Sequence, residues 1–147
     1  MQNRIDRVHL GSLVASIVSG RSTCRRLHVG ALLVLEDRPI AWGYNGAASG
    51  EPHCGEECEH AADGCPNSIH AEANVIAWCA RKGIATEGSV LFVTTAPCKA
   101  CAGLLINAGI VEVYYQEPYR DPAGLERLRK SGVQAAQYRV VPIGPLS

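Results

Sequence analysis

The fold and the chemistry of this chain depend on two short stretches, SIHAE at positions 68–72 and PCKAC at positions 97–101. They supply His70, Cys98 and Cys101, three side chains of the types that bind zinc. A catalytic zinc typically has three protein ligands and keeps its fourth position for water or substrate. Glu72 follows the histidine by two residues and is the candidate acid and base. The pattern therefore predicts a catalytic zinc site.

Both stretches are predicted to begin helices. Residues two apart do not share a face of a regular helix, so His70 and Glu72 can converge only within a first turn. Ser68 is the expected N-cap of the first helix, and Pro97 is the expected first residue of the second. Two helix N-termini would then point at one ion, where their dipoles favour thiolate over thiol.

Composition limits the classes of partner and compartment. The 147 residues fit a single domain over positions 1–147. The chain has 14 lysines and arginines against 14 aspartates and glutamates, which argues against nucleic acid or an anionic membrane as the main partner. No apolar run could span a membrane, and MQNR at the start lacks a signal-peptide layout. Seven cysteines without a secretion signal predict a reducing cytoplasm and metal-bound thiolates.

The rest of the chain predicts alternating helices and strands. Helices are expected at 5–19, 70–82, 98–108 and 123–131, and strands at 29–35, 40–44, 90–94, 110–115 and 133–140. The first two strands form an antiparallel pair, whereas the strand–helix alternation from position 90 implies parallel pairing by right-handed crossovers. Helices then cover both faces of a mixed sheet. Trp42, Trp78, Cys79 and Phe92 are expected in the core.

Residues 45–67 form a polar, glycine-rich segment that is longer than ordinary structureless loops, which rarely exceed roughly 12–15 residues. A second, structural zinc would order this segment. Its expected ligands are four thiolates, from Cys24, Cys54, Cys58 and Cys65. His53 or His60 could replace a cysteine in that set. The alternative is a flexible loop with free thiols.

A basic group lies before the first strand, at Arg21, Arg25 and Arg26, next to Ser22. Such a group is either the solvated end of a helix or a binding site for phosphate, which pairs well with guanidinium groups. Both interpretations are compatible with the sequence.

Taken together, these segments resemble the deoxycytidylate (dCMP) deaminases, in the small form found in bacteria and phages. The zinc motif is shared by all zinc deaminases, whereas GYNG at 43–46 and the cysteine-rich insert are more specific to the dCMP branch. The matching segments are RSTC at 21–24, VGA at 29–31, GYNG at 43–46, HC at 53–54, SIHAEAN at 68–74, VT at 93–94, PCKAC at 97–101, AGI at 108–110 and VYY at 113–115.

The resemblance implies a fold and a reaction. The fold is a three-layer α/β/α sandwich with a five-stranded mixed sheet. The reaction is zinc-dependent hydrolysis of dCMP to dUMP and ammonia, with zinc held by His70, Cys98 and Cys101 and with Glu72 as the proton shuttle. Cys24 and Cys54 match ligands of a structural zinc.

The resemblance also implies substrate contacts and an assembly. Asn45 matches a nucleotide-contacting asparagine, and Tyr119 matches an aromatic residue that packs near the base. For the 5′-phosphate we expect Asn45 together with at least one basic residue, and the other candidates from the sequence are Arg21, Ser22, Arg25, Arg26 and Lys99. Because family members are often hexamers, we expect a homo-oligomer. Family members are often regulated by dCTP and dTTP, but a proline that commonly follows GYNG by one residue is absent from AASG at 47–50.

Two other functions share parts of this pattern. A polynucleotide deaminase would use the same zinc motif, but the neutral composition and the lack of a basic, aromatic-lined groove count against it. A zinc-stabilised binding module without catalysis would not need the carboxylate of Glu72. A modified cytosine remains compatible with the sequence as the substrate base.

Overall fold

The computed structural model describes residues 4–55 and 65–142 of the chain. Four helices and five strands alternate along this part of the sequence. The helices are α1 (Arg7–Ser19), α2 (Ala71–Lys82), α3 (Lys99–Asn107) and α4 (Ala123–Lys130), and the strands are β1 (Gly30–Leu35), β2 (Arg38–Tyr44), β3 (Val90–Thr95), β4 (Glu112–Glu117) and β5 (Gln134–Gln137).

The strands form one mixed sheet in the order β2-β1-β3-β4-β5. Strand β1 is antiparallel to both β2 and β3, whereas β3, β4 and β5 are parallel. The predicted antiparallel pair, the parallel half and the final edge strand are therefore confirmed. Glu36 and Asp37, both with positive φ, form the tight connection between β1 and β2.

Side chains of the sheet alternate between two helical layers. Leu33, Leu91 and Val113 face α2, α3 and α4, whereas Leu32 and Phe92 face α1. This alternation follows from the two-residue period of a strand, so each central strand is apolar on both faces. The predicted three-layer α/β/α sandwich is confirmed.

Two of the predicted core residues are exposed. Phe92 and Cys79 are buried as expected, but Trp42 is 52% exposed and Trp78 is 47% exposed. Trp42 lies on the edge strand β2, beyond the part of the sheet that α1 covers most closely. Trp78 lies on the outer face of α2, with the Lys82 ammonium 5.0 Å from its ring centroid. Aromatic content alone predicted burial for both, but Trp42 is exposed because it lies on an edge strand and Trp78 because it lies on the outer face of a helix.

Helix α2 approaches the sheet closely at its first turn. A side chain at Gly43 would place its Cβ 2.9 Å from the carbonyl oxygen of Ala71 and 2.8 Å from the backbone nitrogen of Val75. Glycine in β2 therefore allows the start of α2 to lie against the strand. None of the helices in the described part of the chain is long and apolar enough to cross a membrane.

Candidate active site

The predicted metal-binding histidine is the N-cap of α2. His70 has extended backbone angles, φ −64° and ψ 151°, and its side chain makes no capping hydrogen bond. The prediction that Ser68 caps this helix is wrong. The backbone of Ile69 pairs with Gly46 in both directions, which keeps the chain extended up to His70 and delays the helix. The imidazole is thereby available at the first turn.

The N-cap of α3 is Cys98, whose sulfur accepts a hydrogen bond from the backbone N–H of Cys101 at 3.5 Å. The prediction that Pro97 is the first helical residue is therefore wrong, because the proline precedes the cap. Helix α4 packs on this turn: a Cβ at Gly124 would overlap the carbonyl oxygen of Pro97. Arg127 also donates to the Lys99 carbonyl at 2.9 Å.

The two helix starts bring His70, Cys98 and Cys101 together. His70 Nδ1 lies 3.6 Å from Cys98 Sγ and 3.5 Å from Cys101 Sγ. Tetrahedral zinc with Zn–N near 2.0 Å and Zn–S near 2.3 Å would hold such atoms about 3.6 Å apart. Within residues 4–55 and 65–142, this is the only group of three metal-binding side chains whose ligand atoms all lie within 4.8 Å of one another. The separation fits zinc.

The three side chains shift one another's pKa through their hydrogen bonds. The pKa of the Cys98 thiol is far below its ordinary value because Cys101 and then His70 donate hydrogen bonds to its sulfur. The pKa of Cys101 is raised in turn by its bond to Cys98 and by burial. The hydrogen bond to Cys98 also raises the pKa of His70. Cys98 thus carries the negative charge that makes sulfur a ligand.

Glu72 lies in the first turn of α2 and is 3% exposed. Burial raises the pKa of its carboxyl from 4.5 to about 7, because the charged form loses its hydration. A general acid and base works best when its pKa is near the operating pH. The residue predicted as the proton shuttle therefore has the burial and the pKa that this role requires.

A cavity of about 350 Å³ lies beside His70 and Glu72. It is found beyond the carboxyl ends of β3 and β4, the usual place for ligands in α/β sheets. Its volume is that of a small-molecule site. Besides Cys98, its walls include Arg26, Asn45, Thr95, Glu117, Tyr119 and Arg120.

Asn45 is 6% exposed and holds the loop that follows α1. Its Oδ1 accepts from the backbone N–H of Val29 at 2.8 Å and from the hydroxyl of Ser22 at 2.6 Å. Its Nδ2 donates to the Leu27 carbonyl at 2.7 Å. Ser22 therefore lies behind Asn45, and the loop that carries Arg26 is fixed to the cavity wall. Direct contact of Ser22 with a substrate stays a prediction.

The predicted basic group divides between two surfaces. Arg26 lines the cavity, whereas the Arg21 guanidinium lies 6.0 Å from the ring centroid of Tyr44, on β2. Sequence reasoning missed Arg120, which lines the same cavity and lies 5.7 Å from the ring centroid of Tyr119. The available signal was its position just after β4, since parallel strands end at one edge of the sheet.

Four of the candidate ligands of a second zinc lie around another cavity, of about 240 Å³. Cys24, Cys54, Cys65 and His53 line it, but their ligand atoms do not converge as those of the first group do. Cys24 is buried, and Cys54 and Cys65 are half-buried. Cys58 and His60 lie outside the described residues.

The chain belongs to the cytidine and deoxycytidylate deaminase family. The model of that family's zinc-binding region matches residues 7–117. This assignment agrees with the fold and with the His–Cys–Cys group, and it means that the protein is a zinc-binding deaminase-family member.

Individual relatives narrow the comparison. ComE operon protein 2 of Bacillus subtilis is 44% identical over 119 residues, which cover 80% of this chain and 63% of that protein. Deoxycytidylate deaminase of Mycobacterium phage D29 is 34% identical over 122 residues, covering 75% of this chain and 92% of the phage protein. The chain thus spans less than two thirds of the Bacillus subtilis relative.

A solved structure shares the architecture. The dCMP deaminase of cyanophage S-TIM5, in complex with dCMP and dUMP, superposes with a TM-score of 0.78 at 35% identity. The match covers 86% of this chain and 93% of the phage chain. The five-stranded fold is therefore the fold of a dCMP deaminase.

Proposed function

We propose that this chain is a single deaminase domain that hydrolyses dCMP to dUMP and ammonia. The observation that carries the proposal is the buried Glu72 beside a His–Cys–Cys group with zinc-compatible spacing, at the wall of a nucleotide-sized cavity. The phage relatives named as deoxycytidylate deaminases support the choice of substrate. In this proposal His70, Cys98 and Cys101 hold the zinc.

The residues of the chain account for the proton transfers. Zinc, when bound, would act as a Lewis acid that lowers the pKa of water, so that the nucleophile forms near neutral pH. Glu72 takes a proton from the attacking water and delivers it to the ring nitrogen N3 of cytosine, so that carbon 4 accepts the oxygen. Glu72 then transfers the remaining hydroxyl proton to the amino group, which leaves as ammonia. The helix N-termini of α2 and α3 stabilise negative charge at this place.

The arginines of the cavity provide the preference for a nucleotide over a nucleoside. We place the 5′-phosphate near Arg26, with Arg120 as the second basic residue of the same cavity. Charge-assisted hydrogen bonds are worth on the order of 1.5–3 kcal/mol each, so two of them would give roughly a hundredfold preference or more. Asn45 and Tyr119 complete the contacts with the nucleotide, with Tyr119 near the base.

The test is ammonia release from dCMP, deoxycytidine and a cytosine-containing oligonucleotide. We expect kcat/KM for dCMP to exceed that for deoxycytidine about a hundredfold. Arg26→Ala should lower kcat/KM for dCMP about tenfold or more and leave deoxycytidine unchanged. Arg25→Ala, the neighbouring exposed arginine, should change neither. Equal values for the two small substrates, or a preference for the oligonucleotide, would contradict the proposal.

Three further properties belong to this proposal. A second zinc is held by Cys24, Cys54, Cys58 and Cys65, with His53 or His60 as substitutes, since three of these cysteines line one cavity. The chain works in the reducing cytoplasm, where such thiolates persist. It forms a homo-oligomer, with the hexamer typical of the family. Light scattering that finds a fully active monomer at all working concentrations would contradict the last point.

A further inference from the structure

Asn74 lies in the first turn of α2, where asparagine is a poor helix former. Its side chain competes for backbone hydrogen bonds, which disfavours it within helices. Here the backbone N–H of Asn74 donates to the His70 carbonyl at 2.9 Å and so closes the first turn. Asn74 takes no part in the proton transfers proposed above. A different role must therefore explain why a poor helix former occupies this turn.

The side chain of Asn74 reaches the outer edge of strand β2. Its Nδ2 lies 2.7 Å from the carbonyl oxygen of Tyr44 and 3.4 Å from that of Ile69. The first contact is a full hydrogen bond and the second is a longer, weaker one. Tyr44 directly precedes Asn45, and Ile69 directly precedes His70. One side-chain amide thus donates hydrogen bonds to the residues that directly precede Asn45 and His70, two residues of the candidate active site.

The direction of the backbone groups at the end of β2 explains what the side-chain amide of Asn74 contributes. Asn45 directs its backbone N–H inward, to the Val29 carbonyl on the chain before β1, at 3.3 Å. Since peptide groups alternate along a strand, those of Tyr44 and Gly46 point outward. Strand β2 is at the edge of the sheet, where such groups lack a strand partner. Gly46 pairs with Ile69 in both directions, and Asn74 supplies the partner for Tyr44.

We propose that Asn74 is a positioning residue that fixes the start of α2 to the end of β2. Through it, His70 and Glu72 keep a constant position relative to Asn45, which lines the same cavity. Without this bond, the Gly46–Ile69 pairing would be the only hydrogen-bonded link between the two segments among the described residues, and the close packing of α2 on Gly43 would have to hold the helix start by itself. The inference rests on the proposed zinc ligands, but it does not depend on which nucleotide is the substrate.

The test is the rate at which folded, zinc-loaded protein releases metal to a chromophoric chelator. Asn74→Asp keeps the shape of the side chain but replaces the N–H donors with oxygen opposite two carbonyl oxygens. Zinc release from the His70–Cys98–Cys101 group is identified as the kinetic phase that disappears in the Cys98→Ser variant. We expect this phase to be about tenfold faster in Asn74→Asp, at the lower end of the roughly 10- to 100-fold loss of metal affinity that follows removal of a group bonded directly to a ligand, because Asn74 acts on His70 only through the backbone. Asn74→Gln, which retains the amide, should fall between this variant and the wild type.

Matched controls separate positioning from general stability. Asn107→Asp makes the same chemical change at an exposed residue at the end of α3 and should release zinc at the wild-type rate. With zinc saturating, Asn74→Asp should also lower kcat for dCMP. Asn74→Ala serves if the aspartate variant does not fold.

Two results would overturn the inference. One is a lower urea midpoint for the Asn74 variants together with wild-type zinc release, which would show a merely structural role. The other is identical release from Cys98→Ser and wild type, which would remove the assigned ligands. A wild type that holds zinc but does not deaminate dCMP would instead refute only the proposed substrate, and the effect of Asn74→Asp on zinc release would still be expected.

Discussion

The chain contains two groups of candidate zinc ligands that differ in how they are held. His70, Cys98 and Cys101 lie at the first turns of two helices, and the Nδ1–Sγ distances are 3.5–3.6 Å. Cys24, Cys54 and Cys65 lie on loops around a cavity of about 240 Å³ without comparable convergence. Secondary structure positions the side chains of the first group. The side chains of the second group only line the same cavity.

The difference shows what a metal must contribute at each place. Helix N-termini packed on a sheet fix their side chains through many other contacts, so a metal finds its ligands already placed. Loop ligands gain their geometry when the metal binds, and the binding free energy then becomes ordering free energy. We therefore expect the first group to control catalysis and the second to control the order of residues 45–67.

The largest expected effect separates catalysis from metal binding within the first group. Glu72→Gln should lower deamination by about 10³-fold or more, because proton transfer is lost, and should leave the zinc content unchanged. Glu126→Gln, on the exposed face of α4, is the control and should be fully active. Activity assays with metal analysis provide the measurement. Near-normal turnover by Glu72→Gln would remove its assigned role.

Metal counting compares the two groups directly. We expect two zinc ions per chain in pure protein and one in either Cys98→Ser or Cys65→Ser. Only Cys98→Ser should abolish activity, whereas Cys65→Ser should retain it to within about tenfold and lose stability. The comparison fails if the wild type holds a single zinc and both Cys58→Ser and Cys65→Ser leave stability unchanged.

Chelation should affect the two regions unequally. On removal of zinc, amide hydrogen exchange within residues 45–55 and 65–67 should accelerate about tenfold or more, because the metal supplies much of their order. The first turns of α2 and α3 should change less, since their packing on the sheet persists. Equal acceleration in both regions would show that the first group also depends on metal for its arrangement.

The last expected effect concerns Glu72 and the pH dependence of folding stability, not activity. Its pKa is about 7 in the folded protein and near 4.5 when unfolded, so the carboxyl costs nothing below pH 4.5. Between these values the unfolded state loses its proton first, and above pH 7 the folded carboxylate bears the full cost of burial, about 3 kcal/mol. In urea unfolding of the metal-free protein, the free energy of unfolding of Glu72→Gln should rise relative to that of the wild type between pH 5 and pH 8, by up to the cost of burying the carboxylate. A pH-independent difference would refute the burial argument.

Local patterns predicted the parts of the molecule that depend on local geometry. The spacing of His70 and Glu72, and of Cys98 and Cys101, was enough to predict two helix starts and one metal-binding group. The strand–helix alternation after position 90 was enough for the parallel half of the sheet. The N-cap of α2 was misplaced because pairing with Gly46 keeps the chain extended through Ile69, which no local pattern indicates.

Features that depend on distant segments were missed. Arg120 enters the cavity only because β4 ends beside β3, and Asn45 holds the loop of residues 22–29 through bonds that its own motif does not reveal. The exposure of Trp42 depends on how far α1 extends across the sheet. These relations require the register and the packing of the whole domain, whereas a motif records only the residues within it.

The contact between α4 and the turn at Cys98 bears on how the protein could be shortened. The family match ends at residue 117, yet Gly124 lies against Pro97 and Arg127 holds the Lys99 carbonyl. A protein cut after residue 117 would keep every candidate zinc ligand of the first group and lose the surface on which two of them rest. We therefore expect the smallest unit that folds around the candidate site to extend beyond the region that shares the family's sequence.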